Sequence, residues 1–216
     1  MGSSQSAHDD LQRLSDGTGF STEQIRNLHK RFNHLTHNQQ KLRREDFDNI
    51  SDLTFNPIRG QIIEAFFDKR NFTNSEVGKV EEVDFEEFLT VMSHFRPAGQ
   101  NLTEEQRERS KRDKLRFLFN MHDKDNDGTI TLDEYRHVVE ELLSSSPDIE
   151  VETAKAIADA AMLEVASVTM GQMAPDEFYE GITFEHFYKI LKDLEIETKM
   201  HIRFLNVDTT TMSCGK

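Results

Sequence analysis

The chain has 216 residues, of which 36% are hydrophobic and 31% charged, with a formal net charge of -14. This composition predicts a soluble protein of one or two compact units, and no apolar run is long enough for a transmembrane helix. The acidity argues against nucleic acid and acidic lipid as partners, and suits cations and basic protein segments. The sole cysteine, Cys214, excludes an intramolecular disulfide and favours a reducing compartment.

The chain begins with Met-Gly-Ser-Ser-Gln-Ser, which matches the N-myristoylation pattern with Gly2 as the acceptor. The pattern is short and has many chance matches. One myristoyl chain gives only reversible membrane binding, on the order of 10⁴ M⁻¹, so a second signal is needed for stable anchoring. No basic cluster follows, so a membrane-protein partner would have to supply that signal. Residues 1–19 are therefore interpreted as an N-terminal lipidated segment.

Residues 20–96 are predicted to form a lobe of two helix pairs whose loops have lost their metal ligands. Ser21 and Gln24 form a capping box, and a buried stripe follows at Ile25, Leu28, Phe32 and Leu35. The next loop, residues 36–46, is one residue short of a calcium loop and lacks glycine, although Leu42 keeps the apolar position that pairs with a sister loop.

The second pair of this lobe is predicted to begin with Asn56 as the N-cap and Pro57 as the first helical residue. Its interior positions are Ile62, Ile63, Phe66 and Phe67. The loop after Asp68 is far longer than the twelve residues that calcium needs. Asp84 and Glu87 are therefore interpreted as a helix cap and not as ligands.

Residues 97–102 are predicted to be a linker, and residues 103–195 a second lobe that opens with a capping box at Thr103 and Gln106. The segment Asp123 to Glu134 fits every specified position of the pattern D-x-[DN]-x-[DN]-G-x5-E. An Asp/Gly-rich surface turn is the alternative, but a turn needs one glycine and one capping carboxylate, not four carboxylates in register.

The pattern assigns each residue of this loop a role towards one hard dication. The predicted ligands are the side chains of Asp123, Asp125, Asp127 and Glu134 and the backbone carbonyl of Thr129, with Thr131 acting through water. Gly128 provides the sharp turn. We therefore predict one Ca²⁺ site, for which Mg²⁺ is a competitor. Ile130 is the apolar residue expected to pair with a sister loop.

Apolar periodicity places a helix on each side of this loop. The expected buried positions are Leu115, Leu118, Phe119 and His122 before it, and Tyr135, Val138, Val139, Leu142 and Leu143 after it. The next helix is traced by Ala154, Ile157, Ala158, Ala161 and Val165. Its loop is distended through Gly171 and Pro175, and His186, a poor calcium ligand, stands where a bidentate glutamate would close the shell.

The last paired helix is predicted from Phe187, Ile190, Leu191 and Leu194. Residues 196–216 form a C-terminal extension whose apolar side chains, Ile196, Met200, Phe204 and Leu205, are expected to lie in or beside a groove. The predicted fold is thus all-α: an EF-hand protein with two lobes of paired EF-hand motifs, four hands of which one is intact, and short β-bridges between paired loops.

Four helix pairs with one intact loop in the third position, the Met-Gly start, the Asn56-Pro57-Ile58 helix entry and the Leu115-Arg116-Phe117-Leu118-Phe119 run resemble the calcineurin B homologous proteins. The resemblance implies a non-enzymatic regulator whose hydrophobic groove holds the juxtamembrane cytoplasmic helix of plasma-membrane sodium/proton exchangers. It would support exchanger maturation, surface stability and activity, and so control cytosolic pH. It also implies N-myristoylation of Gly2 and inhibition of calcineurin phosphatase by competition.

The implied location is the cytoplasm and, through the lipid and the partner, the periphery of the plasma membrane, with a nuclear pool left open. Close relatives have two working loops in the C-terminal half, so His186 is a departure that argues against a second ion. Two other functions remain: a calcium buffer, and a regulatory subunit or inhibitor of a phosphatase or kinase. An enzyme is disfavoured because no Ser/His/Asp, Cys/His or phosphate-cradling glycine motif is present.

Overall fold

The computed structural model describes residues 3–48, 50–73, 76–97, 102–144, 146, 148–170, 179–196 and 200. This part of the chain is mostly helical with one two-stranded antiparallel bridge, which confirms the predicted fold class. The helices are α1 (Ser3–Thr18), α2 (Thr22–Leu35), α3 (Ser51–Thr54), α4 (Arg59–Phe67), α5 (Phe85–Ser93), α6 (Glu104–His122), α7 (Leu132–Leu143), α8 (Val151–Met170) and α9 (Phe184–Leu191). The strands are β1 (Thr129–Ile130) and β2 (Ile182–Thr183). None of the helices in the described ranges is both long and apolar enough to cross a membrane.

The N-terminal segment is helical, which its sequence did not predict. Helix α1 contacts α2 and α5, and its Leu11 and Leu14 pack against the buried residues of the first helix pairs. Arg13 forms an ion pair with Glu86 of α5 at 2.6 Å. Most of residues 3–18 thus belong to the folded body, while the predicted acceptor Gly2 lies outside the described residues.

A phenylalanine-rich cluster, here called the first core, fills the space between α2, α4 and α5. The predicted stripe of α2 is buried in it, and so are Phe66 and Phe67 of α4. The ring centroid of Phe88 lies 5.3 Å from that of Phe32 and 5.8 Å from that of Phe66. The loops above it pair through an antiparallel bridge between Leu42 and Val83, as the position of Leu42 predicted.

The predicted start of the second helix pair is wrong by two residues. Helix α4 has Ile58 as its N-cap, and no side chain caps it. The Oδ1 atom of Asn56 instead accepts a hydrogen bond from the Ile58 amide at 3.0 Å. Asn56 therefore closes a turn before the helix, because its short side chain competes for nearby amides in non-helical backbone as readily as it caps a helix.

A second core lies between α6, α8, α9 and the two strands. Its buried residues are Leu115, Phe119, Ile130, Met162, Ile182, Phe184 and Ile196. Ile130 pairs with Ile182, and Thr129 with Thr183, which confirms the predicted bridge at Ile130. The predicted burial of Leu142 is wrong, since it is 45% exposed, and Ile157 and Leu194, which helped to trace the later helices, are 46% and 47% exposed. Helix α8 instead buries every fourth residue, at Ala154, Ala158, Met162 and Ala166.

Helix α6 and the C-terminal extension each contact both cores. Within α6, Phe117 belongs to the first core and Phe119 to the second. In the extension, Ile196 packs in the second core and Met200 in the first. The Met200 amide donates to the Ile196 carbonyl at 2.8 Å. Two buried apolar side chains, four residues apart in the sequence, thus pack in different cores.

Candidate calcium site

The predicted calcium loop connects the C-terminus of α6 to the N-terminus of α7. Asp123 is the C-cap of α6, and Thr131 is the N-cap of α7 in a capping box with Glu134. Gly128 has φ of +90°, a backbone conformation that a residue with a Cβ rarely adopts. The caps and this turn fix the loop between two rigid helices, so its side chains are positioned by the backbone.

Three of the predicted ligands converge. Asp123, Asp125 and Glu134 each place a carboxylate oxygen so that these oxygens lie within 4.8 Å of one another. The Oδ1 atom of Asp123 is buried and has no hydrogen-bond partner. A buried carboxylate oxygen without a partner is costly, and a cation with oxygen ligands supplies the missing interaction. The donor set therefore fits a hard dication such as Ca²⁺.

Several of the predicted ligand side chains also accept hydrogen bonds from amides within the loop. Asp127 is not part of the cluster, and its Oδ1 accepts from the Thr129 amide at 2.7 Å. Asp125 Oδ1 accepts from the Asp127 amide at 3.1 Å. The carboxylate of Glu134 accepts from the amides of Lys124 at 2.7 Å and Thr131 at 2.9 Å. The ligand roles of Asp123, Asp125, Asp127, Glu134 and the carbonyl of Thr129, which lies in β1, all remain predictions.

Burial dominates the electrostatics of Asp123. It raises the pKa of this carboxyl above its usual value, and the Arg70 guanidinium and the Gly128 amide act in the opposite direction. Arg70 comes from the loop after α4, and nothing in the local sequence connects that loop with the calcium ligands. The loop after α4 is too long to fit the spacing of a calcium loop. No local pattern in it identifies Asp123, 53 residues away, as the partner of Arg70.

The fourth loop provides no second cluster among its described residues. His186 lies in the first turn of α9, where its amide donates to the Thr183 hydroxyl at 3.4 Å and its Nδ1 lies 3.4 Å from the Tyr179 hydroxyl. This agrees with the structural role predicted for His186. The stretch with Gly171 and Pro175 is outside the described residues. Within the part of the chain that the structure does describe, the only acidic, histidine or cysteine cluster of metal-site geometry is the one at Asp123.

Gly181 immediately precedes β2 and lies against the backbone of β1. Its φ is +148°, and a Cβ atom added there would lie 2.5 Å from the carbonyl oxygen of Ile130. We expect Gly181→Ala to destabilise the protein by about 1–3 kcal/mol, because the backbone is strained and β1 must move. Gly60→Ala is the matched control: Gly60 lies in α4 with open space around it, and alanine favours a helix by about 0.5–1 kcal/mol.

Urea denaturation of both variants measures this difference. The expected signs are opposite, with Gly181→Ala shifting the midpoint to lower urea and Gly60→Ala to equal or higher urea. Equal midpoints for Gly181→Ala and the parent protein would show that the two strands can separate without cost.

Comparison with known proteins gives consistent matches over this region and over the whole chain. The EF hand domain family model matches residues 114–142. The chain is 55% identical to calcineurin B homologous protein 3 of Homo sapiens over 212 residues, which cover 98% of this chain and 99% of that protein. It is 58% identical to calcineurin B homologous protein 3 of Xenopus tropicalis over 209 residues, covering 97% and 98%. The type 2 calcineurin B protein of Dictyostelium discoideum, a calcineurin component, is 27% identical over 175 residues, covering 81% and 84%.

Proposed function

This chain belongs to the calcineurin B homologous proteins, which are non-catalytic calcium-binding regulators, and on that premise we propose a specific regulatory role. The protein binds one Ca²⁺ and holds the juxtamembrane cytoplasmic helix of a plasma-membrane sodium/proton exchanger. It thereby promotes maturation, surface stability and activity of the exchanger and controls cytosolic pH. The proposed location is the cytoplasm and the periphery of the plasma membrane.

The calcium part of the proposal is supported by the loop from Asp123 to Glu134. Asp123, Asp125, Asp127 and Glu134 would supply carboxylate oxygens, and Thr129 its backbone carbonyl. When bound, the ion supplies the positive charge that offsets the repulsion among these carboxylates. Mg²⁺ is a competitor for the same oxygens, although it accepts distorted geometry less readily.

The partner part is supported by one observation, the burial of Ile196 in the second core and of Met200 in the first. Apolar side chains spaced four residues apart are what an amphipathic helix offers to a groove. A partner helix with the same spacing can make the same contacts. The net charge of -14 favours a basic partner segment, as found next to the cytoplasmic face of a membrane span.

N-myristoylation of Gly2 is part of the proposal. A single acyl chain binds membranes reversibly, so the lipid and the exchanger would together hold the protein at the membrane.

A synthetic peptide covering the juxtamembrane helix of an exchanger tests this function by titration calorimetry in calcium. We expect binding at micromolar concentration, about -8 kcal/mol. The matched control is the same peptide with the apolar positions of its helix changed to serine, which is expected not to bind. Absence of binding by both peptides would contradict the exchanger assignment.

The second candidate function is regulation or inhibition of a phosphatase such as calcineurin, and it extends to a kinase. It is favoured by the 27% identity to the calcineurin B protein of Dictyostelium discoideum over 81% of this chain. A peptide covering the helix of the phosphatase catalytic chain that receives its regulatory partner distinguishes the two candidates. Binding of this peptide in place of the exchanger peptide would favour the phosphatase.

A further inference from the structure

Arg70 contacts the calcium loop from the other half of the molecule. It lies in a short 3-10 helix, Lys69–Asn71, and its side chain is only 14% exposed. Its Nη1 donates to Asp123 Oδ2 at 2.7 Å, and its Nη2 donates to the carbonyls of Asp123 at 2.9 Å and Asn120 at 3.0 Å. Nε and Nη2 also donate to the Asp68 carboxylate. The planar guanidinium therefore joins two carboxylates and two carbonyls, which a lysine ammonium cannot reproduce.

The two carboxylate oxygens of Asp123 have different surroundings. Oδ2 accepts from Arg70 and, at 3.2 Å, from the Gly128 amide. Oδ1 is buried and has no partner. The guanidinium thus holds one oxygen and leaves the other to a cation. Since a carboxylate is planar, fixing Oδ2 also fixes the direction in which Oδ1 points.

The charge of Arg70 does not oppose a cation in the loop as strongly as its position suggests. Asp68 lies 2.6 Å from the guanidinium and is 4% exposed, so the pair is compact and partly withdrawn from water. The two charges cancel at a distance. The calcium loop therefore receives both a positive charge and hydrogen-bond geometry from Arg70, and Asp68 offsets part of that charge.

We propose that Arg70 is a positioning residue that holds Asp123 for the ion and couples the calcium loop to the loop that follows α4. This inference rests on the calcium-binding function proposed above. The coupling is reciprocal: whatever the ordered contact adds to calcium affinity, calcium adds to the order of residues 68–73.

A second contact runs beside the first and reaches α4. Asn120 donates from Nδ2 to Asn71 Oδ1 at 3.0 Å, and Asn71 donates from Nδ2 to the Ala65 carbonyl at 2.8 Å. Asn71 and Asn120 are 5% and 6% exposed, so these bonds are shielded from competing water. These hydrogen bonds therefore connect the end of α6, where the calcium loop begins, to α4 next to the first core.

A charge-neutral double variant, Asp68→Asn/Arg70→Met, tests the inference in the full-length protein. It removes the guanidinium and its counter-charge together, and the carboxamide oxygen introduced at position 68 can still accept from the amide of residue 70, as Asp68 does at 3.0 Å. We expect calcium affinity, measured by calorimetry, to fall by roughly 10-fold or more, as for other groups that orient metal ligands. We also expect calcium to slow amide hydrogen exchange at residues 69–73 in the parent protein but not in the variant.

The matched control is Lys69→Met/Glu76→Gln, which makes the same charge changes in the same loop. This ion pair, at 2.8 Å, joins two residues of that loop to each other and is more exposed than the pair of Arg70 and Asp68. Its calcium affinity is expected to stay within about twofold of the parent protein, since an exposed pair is weak. Arg70→Lys keeps the positive charge but loses the planar guanidinium with its several donors, and it is expected to weaken calcium binding severalfold.

The outcomes separate the two proposals. Undiminished calcium affinity in Asp68→Asn/Arg70→Met, or calcium-induced protection of residues 69–73 that survives in it, overturns the role of Arg70. Absence of calcium binding by the parent protein overturns the proposed calcium function itself. If the double variant does not fold, the affinity of Arg70→Lys decides: a value equal to that of the parent overturns the inference.

Discussion

Glu134→Gln is expected to lower calcium affinity about 100-fold or more. Loss of groups that merely orient metal ligands already costs about 10–100-fold, and this change removes a charged ligand with both of its oxygens. The parent protein is expected to bind one Ca²⁺ per chain in the range of about 10⁻⁷ to 10⁻⁵ M. Calorimetric titration gives both the affinity and the number of sites, and two equivalent sites would contradict our interpretation of the fourth loop.

The structure provides a close control in the adjacent residue. Asp133→Asn makes the same change of charge in the same turn of α7, but the Asp133 side chain is 90% exposed and its ion pair is with Arg136. Its calcium affinity is expected to remain within about threefold of the parent value, because exposed charges are screened. If Glu134→Gln and Asp133→Asn behave alike, the ion is not held by Glu134.

Fold integrity in Glu134→Gln can be checked independently of the ion. The glutamate accepts from the Thr131 amide at 2.9 Å in the capping box of α7, and a glutamine carbonyl can accept the same bond. The helix content of the metal-free variant is therefore expected to match that of the parent, and the stabilisation produced by calcium is expected to disappear.

Phe88→Ala is expected to destabilise the protein by about 3–5 kcal/mol, the range for removing a buried phenylalanine. The Phe88 side chain is fully buried between the rings of Phe32 and Phe66. Those rings come from α2 and α4, so the cavity would lie where three helices meet. Urea denaturation followed by far-ultraviolet circular dichroism measures the change.

The control for this substitution is Phe55→Ala. Phe55 is 88% exposed, so the same atoms are removed without leaving a cavity, and a change within about 0.5 kcal/mol is expected. A small effect for Phe88→Ala, comparable with that of Phe55→Ala, would mean that the first core can repack around the lost ring.

The features that the sequence predicted correctly are those that depend on the spacing of residues close together in the chain. The capping boxes at Ser21 and Thr103, the helix cap at Asp84 and the paired positions Leu42 and Ile130 all occur in the structure. Each depends on residues within about one helical turn or on a fixed place in a loop. Local backbone physics decides such features whatever the rest of the chain does.

Features that depend on distant contacts were missed. The exposure of Ile157 and Leu142 reflects which faces α7 and α8 turn towards each other, and periodicity alone does not fix that choice. Helix α1 packs Leu11 and Leu14 against a surface made of residues that come later in the sequence, so its own sequence does not reveal this contact. The contact of Arg70 with Asp123 joins two loops, and the sequence pattern of neither loop predicts contact with the other.

The bridge between Leu42 and Val83 has a consequence for how this protein responds when calcium is scarce. These loops are joined by backbone bonds of 2.8 Å and 3.0 Å and by ion pairs between Arg43 and Glu82 and between Arg44 and Glu81, and their described residues form no cluster of metal-site geometry. On the calcium function proposed above, a chelator is expected to loosen the C-terminal half and the contact through Arg70, while the loops joined at Leu42 and Val83 stay paired. Falling calcium would release a bound helix from one end, by degrees, without denaturing its carrier.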